Sequence, residues 1–207
     1  MPITFYWAPR SSATRIYWAL EELDVPHEKV RIDFSSGDQK KPDYLALNPN
    51  GKVPLLVDDG VPIFESMAIL IHLGQRYGQD KGLWPPVGGK LHGQALSWVI
   101  WQAATLSPMM FRYMMNTQER FPAEARNARQ AENAKAELEK LFAIANDRLA
   151  KSPYFLGETF TFADLAVASA MGFWKMTGND FSSWPNNQRW LDACQARPAF
   201  KTAYGAT

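Results

Sequence analysis

The sequence predicts an α/β domain followed by an all-α helical domain. Three observations carry this reading. Short apolar runs with strand-like alternation, and a hairpin signal, are confined to the first 64 or so residues. A Gly- and Pro-rich stretch then interrupts the chain from Gly78 to Gly89. Beyond Lys90, apolar residues recur only at helical spacing.

The elements follow in order. Ile3 to Trp7 is a short β-type run. After Pro9-Arg10-Ser11-Ser12, the residues Ile16, Ala19, Leu20 and Leu23 mark one face of a helix, which Asp24-Val25-Pro26 stops. Val30, Ile32 and Phe34 alternate with Lys29, Arg31 and Asp33 as a second strand, so the crossover implies a parallel pair. A polar stretch runs from Ser35 to Pro49. Pro54-Leu55-Leu56-Val57 and Val61-Pro62-Ile63-Phe64 flank Asp58-Asp59-Gly60, a tight-hairpin signature. Ser66 opens a helix through roughly Arg76 that is apolar almost all round and therefore buried. The expected order is β-α-β-β-β-α over residues 1–78, a linker at 79–89 and a helical domain at 90–207. In that second half, helices are expected near 90–116 with a kink at Pro108, and at 122–151, 161–175, 186–196 and 198–205.

Composition excludes several classes. With 22 Lys and Arg against 21 Asp and Glu, no basic field suits nucleic acid. The single cysteine, Cys194, rules out an internal disulfide framework and a multi-cysteine zinc site, and no metal is expected. Thiol chemistry here must use another molecule's sulfur. The N-terminus has neither a basic n-region nor a long apolar h-region. The uncharged stretch Gln94 to Phe111 carries Gln94, Ser97, Gln102, Thr105, Ser107 and Pro108, too polar for a lipid-facing helix. A cytoplasmic chain with no membrane partner is expected.

Three motifs carry a resemblance. Asn48-Pro49-Asn50-Gly51-Lys52-Val53-Pro54-Leu55 is followed by Phe64-Glu65-Ser66-Met67-Ala68-Ile69; Ser11-Ser12-Ala13-Thr14-Arg15 opens the first helix; and Phe155-Leu156-Gly157 leads into Thr161-Phe162-Ala163-Asp164-Leu165. Together, over nearly the whole chain, they resemble the cytosolic glutathione S-transferases. The resemblance implies a thioredoxin-like N-terminal domain, glutathione as co-substrate without a metal, a hydrophobic small-molecule electrophile and a homodimer.

It also implies roles for particular residues. Val53-Pro54 resembles the family's cis-prolyl turn, which would present the Val53 backbone to an extended peptide. Ser66 at a helix N-terminus suits a carboxylate, and Glu65 beside it an ammonium group, so the pair would read the γ-glutamyl end. As a plain alternative, Ser66 is an N-cap. Lys52, Gln39 and Lys40 are candidates for the glycyl carboxylate, Lys40 being equally a solvated loop charge. Thr161-x-x-Asp164 is a capping box with a structural role, Phe160 and Leu165 supplying its staple.

A free thiol of pKa about 8.5 must be ionised near neutrality, which asks for roughly 2.7 kcal/mol per two pKa units. One hydroxyl bonded to the thiolate, worth about 1.5–3 kcal/mol, is of the right size. Ser11, four residues before Arg15, matches the serine-type classes of the family; Ser12 and Tyr6 are the alternatives, and Ser11 could also simply cap the helix. Ala13-Thr14 departs from the Pro-Cys pair common before that arginine, leaving the class open, and the lack of cysteine before Cys194 argues against the cysteine-type classes. For the electrophile, Tyr6, Trp7, Ala8 and Pro9 would supply one wall, and Trp101, Gln102, Thr105, Met109, Phe111 and Arg112 the other. The same spacing also suits plain core.

Overall fold

The protein is described here from a computed structural model, covering residues 2–205. It forms two compact units: the residues up to His92 together with those from Gln195 onward, and Gly93–Cys194.

In the first unit, β1 (Ile3–Trp7), β2 (His27–Arg31), β3 (Leu55–Asp58) and β4 (Val61–Phe64) form one sheet in the order β2-β1-β3-β4. β1 pairs parallel with β2, as the intervening helix α1 (Ala13–Leu23) requires, and antiparallel with β3. The β3–β4 hairpin turns at Asp59 and Gly60, both at positive φ. β2 begins and ends earlier than the alternation suggested: Ile32 continues past the strand, its amide donating to the Trp7 carbonyl at 2.8 Å. α3 spans Ser66–Leu73 and runs on into a wider π turn at Gly74–Gly78. There, a Cβ on Gly74 would come within 2.6 Å of the buried Trp84 ring, so only glycine lets the helix lie this close.

Two features of this unit differ from expectation. The polar stretch after β2 holds a 3-10 turn at Asp38–Lys40 and a short helix, α2 (Pro42–Leu47), whose proline occupies a position needing no amide donor. The last helix, α9 (Pro198–Gly205), also lies in this unit, packed on α1, rather than with the other C-terminal helices. Trp18 of α1 meets Phe200 and Tyr204 of α9 edge-on at 5.0 and 6.2 Å. Arg197 donates to both carboxylate oxygens of the nearly buried Glu22, at 2.6 and 2.7 Å.

The second unit is helical: α4 (His92–Trp101, begun by the last residue of the first unit), α5 (Ser107–Thr117), α6 (Ala128–Leu149), α7 (Phe162–Met176) and α8 (Pro185–Gln195). In place of a kink at Pro108, a π turn at Gln102–Leu106 joins α4 to α5 just before it. The wider turn accommodates a proline that lacks the amide and crowds the preceding carbonyls. α7 is buried along nearly its whole length. Asp164 on its first turn is fully buried and accepts from the Phe155 amide (2.8 Å), the Thr161 amide (2.8 Å) and hydroxyl (3.0 Å), and the Trp190 indole (3.0 Å). Burial raises its carboxyl pKa while those four donors pull it back. Cys194 is buried. Among the described residues, no helix is long and apolar enough to cross a membrane.

Candidate functional site

A cavity of about 140 Å³ in the first unit is lined by Ser12, Asn48, Asn50, Lys52, Val53, Pro54, Phe64, Glu65 and Ser66. It gathers the ends of three separate segments: the start of α1, the loop into β3, and the β4–α3 junction. The Val53–Pro54 peptide bond is cis. The loop before it is held from behind, since the Lys52 carbonyl accepts from Tyr44 Oη and Asn48 Nδ2, both at 2.7 Å. Asn48 Oδ1 also takes the Asn50 amide at 3.1 Å.

At the other end, α3 begins at Ser66 with no side-chain cap. Its preceding residue Glu65 stands at φ 68°, a conformation that costs a non-glycine residue about 1 kcal/mol or more. The first-turn amides and their positive potential therefore open directly on the cavity, with the Ser66 hydroxyl and the Glu65 carboxylate beside them. That combination suits a ligand end carrying both a carboxylate and an ammonium group.

The two serines before α1 are engaged differently. Ser11 Oγ donates to the Ala8 carbonyl at 2.7 Å and accepts the Ala13 amide at 3.1 Å, closing the turn that starts the helix. Ser12 lines the cavity, and among the described residues its Oγ makes one hydrogen bond, a longer one of 3.3 Å to the Val53 carbonyl. A hydroxyl held so loosely can turn its proton to an incoming anion.

Within the first unit, Tyr6, Trp7, Gln39 and Lys40 are not among the residues lining this cavity. Tyr6 packs edge-on to Tyr44 at 5.8 Å and lines a different cavity with it. Trp7 stacks obliquely on Tyr17 at 5.8 Å. Gln39 sits in the 3-10 turn with its Oε1 buried and without a hydrogen bond among the described residues, its backbone carbonyl abutting Gly51. Lys40 is exposed. In the helical unit, Trp101 ends α4, meeting Trp98 at 5.3 Å. Phe111 is exposed on α5 beside Phe121, and Arg112 reaches Gln130 at 3.4 Å. Gln102 is fully buried and bonded to Ser107 at 2.6 Å, so it is core. Asn48, Asn50 and Phe64 carried no expected role; Asn48 acts on the Lys52 carbonyl, a tertiary relationship that the motif's residue types alone do not state.

Residues 1–75 match the family model for the N-terminal domain of glutathione S-transferases, and residues 103–198 match that for the C-terminal domain. Glutathione S-transferase GstB of Escherichia coli K12 is 33% identical over 199 residues, covering 94% of each chain. The chain belongs to the glutathione S-transferase family. Disulfide-bond oxidoreductase YfcG of E. coli K12 is 29% identical over 204 residues, 95% of this chain and 92% of that one. A glutathione transferase of Burkholderia graminis, crystallised with two glutathione molecules per subunit, superposes with TM-score 0.85 at 29% identity, over 99% of this chain and 88% of that one. A homolog from Lodderomyces elongisporus has the same fold, with TM-score 0.87 at 22% identity. The glutathione S-transferase fold is thus a thioredoxin-like N-terminal domain with a four-stranded sheet, followed by a mostly helical domain. Among the described residues, no group of three His, Cys, Asp or Glu could hold a metal ion.

Proposed function

We propose that the protein binds glutathione in the Ser12–Ser66 cavity and adds its thiolate to a hydrophobic electrophile. The observation that carries this reading is the convergence, in one cavity, of the uncapped α3 N-terminus with Ser66 and Glu65, the Lys52–Val53–Pro54 turn, and the loosely held Ser12 hydroxyl. Ser66 and the α3 amides take the γ-glutamyl carboxylate and Glu65 its ammonium group. Val53 pairs with the peptide backbone, and Lys52 neutralises the glycyl carboxylate, with Gln39 and Lys40 as outlying candidates. Homodimer formation and a cytoplasmic setting belong to the same proposal.

Of the three candidate activators, Ser12 has the best geometry. Its proton is held by a 3.3 Å bond, whereas that of Ser11 is committed to Ala8 at 2.7 Å and Tyr6 faces another cavity. A hydrogen bond to the thiolate, with the positive field at the start of α1, supplies the roughly 2.7 kcal/mol that a two-unit shift requires. Titrating the ultraviolet absorbance of bound thiolate against pH tests this. Ser12→Ala should return the bound thiol towards its free pKa of about 8.5. Loss of ionisation in Ser11→Ala, with Ser12→Ala unaffected, would transfer the role to Ser11. Failure of calorimetry to detect glutathione binding would overturn the whole reading.

A second reading is glutathione-dependent thiol–disulfide exchange, favoured by the likeness to YfcG. Residues 1–193 hold no cysteine, so the attacking sulfur would be that of glutathione. Its thiolate would bond one sulfur of a disulfide while the other departs as thiolate. Assaying reduction of a small disulfide beside the electrophile panel separates the two. Isomerase, dehalogenase and peroxidase activities would need the same activated thiolate, whereas a non-catalytic binding module would retain glutathione and turn over no electrophile.

A further inference from the structure

A second cavity in the first unit, of about 400 Å³, lies between the β1–α1 loop and the segment after β2, lined by Ala8, Pro9, Arg31, Ile32, Asp33 and Phe34. Its apolar lining includes Pro9, Ile32 and a Phe34 ring left 47% exposed. An aromatic side chain exposed to that degree, on the wall of a cavity, is a surface ready to cover another flat apolar group.

The lining carries one cation, Arg31, and one carboxylate, Asp33, which are engaged differently. Asp33 is turned onto its own loop: Oδ1 accepts the Ser35 amide at 2.8 Å and hydroxyl at 2.6 Å, which holds its carboxyl below the usual range. Arg31 is exposed, and among the described residues its guanidinium has no ion-pair or hydrogen-bond partner. Arg10, next in the chain to the lining residue Pro9, is likewise exposed and unpartnered among the described residues. It stands at φ 56°, in the left-handed region where asparagine or glycine would be less strained. Strained backbone of this kind concentrates at ligand-binding loops. The cavity is also mechanically joined to the candidate thiol activators. Ser11, the neighbour of Ser12, fixes the lining residue Ala8 through its 2.7 Å bond, and Ile32 is tied to Trp7 at 2.8 Å.

We propose that this cavity takes the second substrate as an aromatic carboxylate, its ring against Phe34, Ile32 and Pro9 and its anionic group paired with Arg31, with Arg10 adding to the positive field. A planar guanidinium matches a carboxylate with two parallel hydrogen bonds, which an amide of the same shape cannot reproduce. This inference rests on the transferase reading for its chemistry. The glutathione thiolate bonds the ring carbon bearing a leaving group, the carbon–chlorine bond breaks, chloride departs, and the thiol proton goes to solvent.

The test uses two matched pairs of probes that differ only in charge. Calorimetry with naphthoate and naphthamide reads binding without any reaction. Steady-state kinetics with glutathione and a chloronitrobenzoate, against its neutral carboxamide, reads turnover. Wild-type protein should bind naphthoate about tenfold more tightly than naphthamide. Arg31→Gln should abolish that difference, raising KM for the benzoate with kcat little changed, and Arg31→Lys should restore part of it. Phe34→Ala should weaken both naphthalene probes together, which separates ring packing from charge. Equal binding of both probes by the wild type, or a preference that survives Arg31→Gln, overturns the proposal. If glutathione is not used at all, the transferase reading fails, yet the naphthoate measurement still decides for or against the anionic cavity.

Discussion

The indole of Trp190 donates to Asp164 Oδ1 at 3.0 Å, and the same carboxylate accepts the amides of Phe155 and Thr161. One buried side chain thus joins the start of α7, the turn before it and α8. Asp164→Ala would leave several buried donors unpaired at about 1–3 kcal/mol each, so it should cost roughly 3–5 kcal/mol of unfolding free energy. Urea titration followed by circular dichroism measures it. A loss no larger than that of an ordinary helix cap, about 1 kcal/mol, would mean the cap alone matters.

Gly74→Ala places a methyl group 2.6 Å from the Trp84 ring, which is buried and cannot swing aside. Overpacking should destabilise the protein by about 1–3 kcal/mol. Adding Trp84→Phe should recover part of that loss, as a double-mutant cycle would show.

Arg197→Gln breaks the pair with Glu22, whose carboxylate is 7% exposed and also accepts the Trp18 indole at 2.9 Å. Because Arg197 is itself partly exposed, the cost should be roughly 2 kcal/mol, below that of a fully buried pair. A variant carrying Glu22→Gln as well should regain stability.

Alkaline pH should loosen the first unit. Burial, then donation to the Asp58 carboxylate at 2.9 and 3.0 Å, pushes the Tyr77 phenol up to about 12. The folded state then holds its proton more tightly than the unfolded chain does. Its contribution is complete below pH 10 and disappears as pH rises from about 10 through 12. Tyr77→Phe should flatten the fall in denaturation midpoint over that interval, and an unchanged slope would assign the effect to other groups such as Tyr44.

Ser66→Ala and Ser12→Ala should separate binding from ionisation. Removing Ser66 should raise KM for glutathione about tenfold while bound thiol titrates normally. Removing Ser12 should lower kcat and raise the thiol pKa with little change in affinity. A shared loss of both properties in each variant would show that the two hydroxyls act as one unit.

Much of this was legible because it is written locally. The Asp58-Asp59-Gly60 turn, the short apolar runs of β1 and β3, and Thr161-x-x-Asp164 all declare themselves within a few residues. The helix α2 does not, since its six residues bury only Tyr44 and show no apolar period; Pro42 was its one signal. Ser11 and Ser12 are chemically identical neighbours, and what distinguishes them is an acceptor at Val53, 41 residues away from Ser12. The anchoring of α9 is still less local, resting on a contact between Glu22 and Arg197 that spans 175 residues.

That long-range contact has a consequence for the order in which the protein is made. The first unit begins near the N-terminus, but one face of α1 is covered by residues 198–205. On the ribosome, at roughly 5–20 residues per second, Trp18 and Glu22 would wait many seconds for their partners. The helical unit, continuous in sequence from Gly93 to Cys194, can close first. Released chains ending near residue 195 should therefore complete the helical unit while leaving α1 uncovered, and a truncation of α9 will be felt at Trp18 and Glu22.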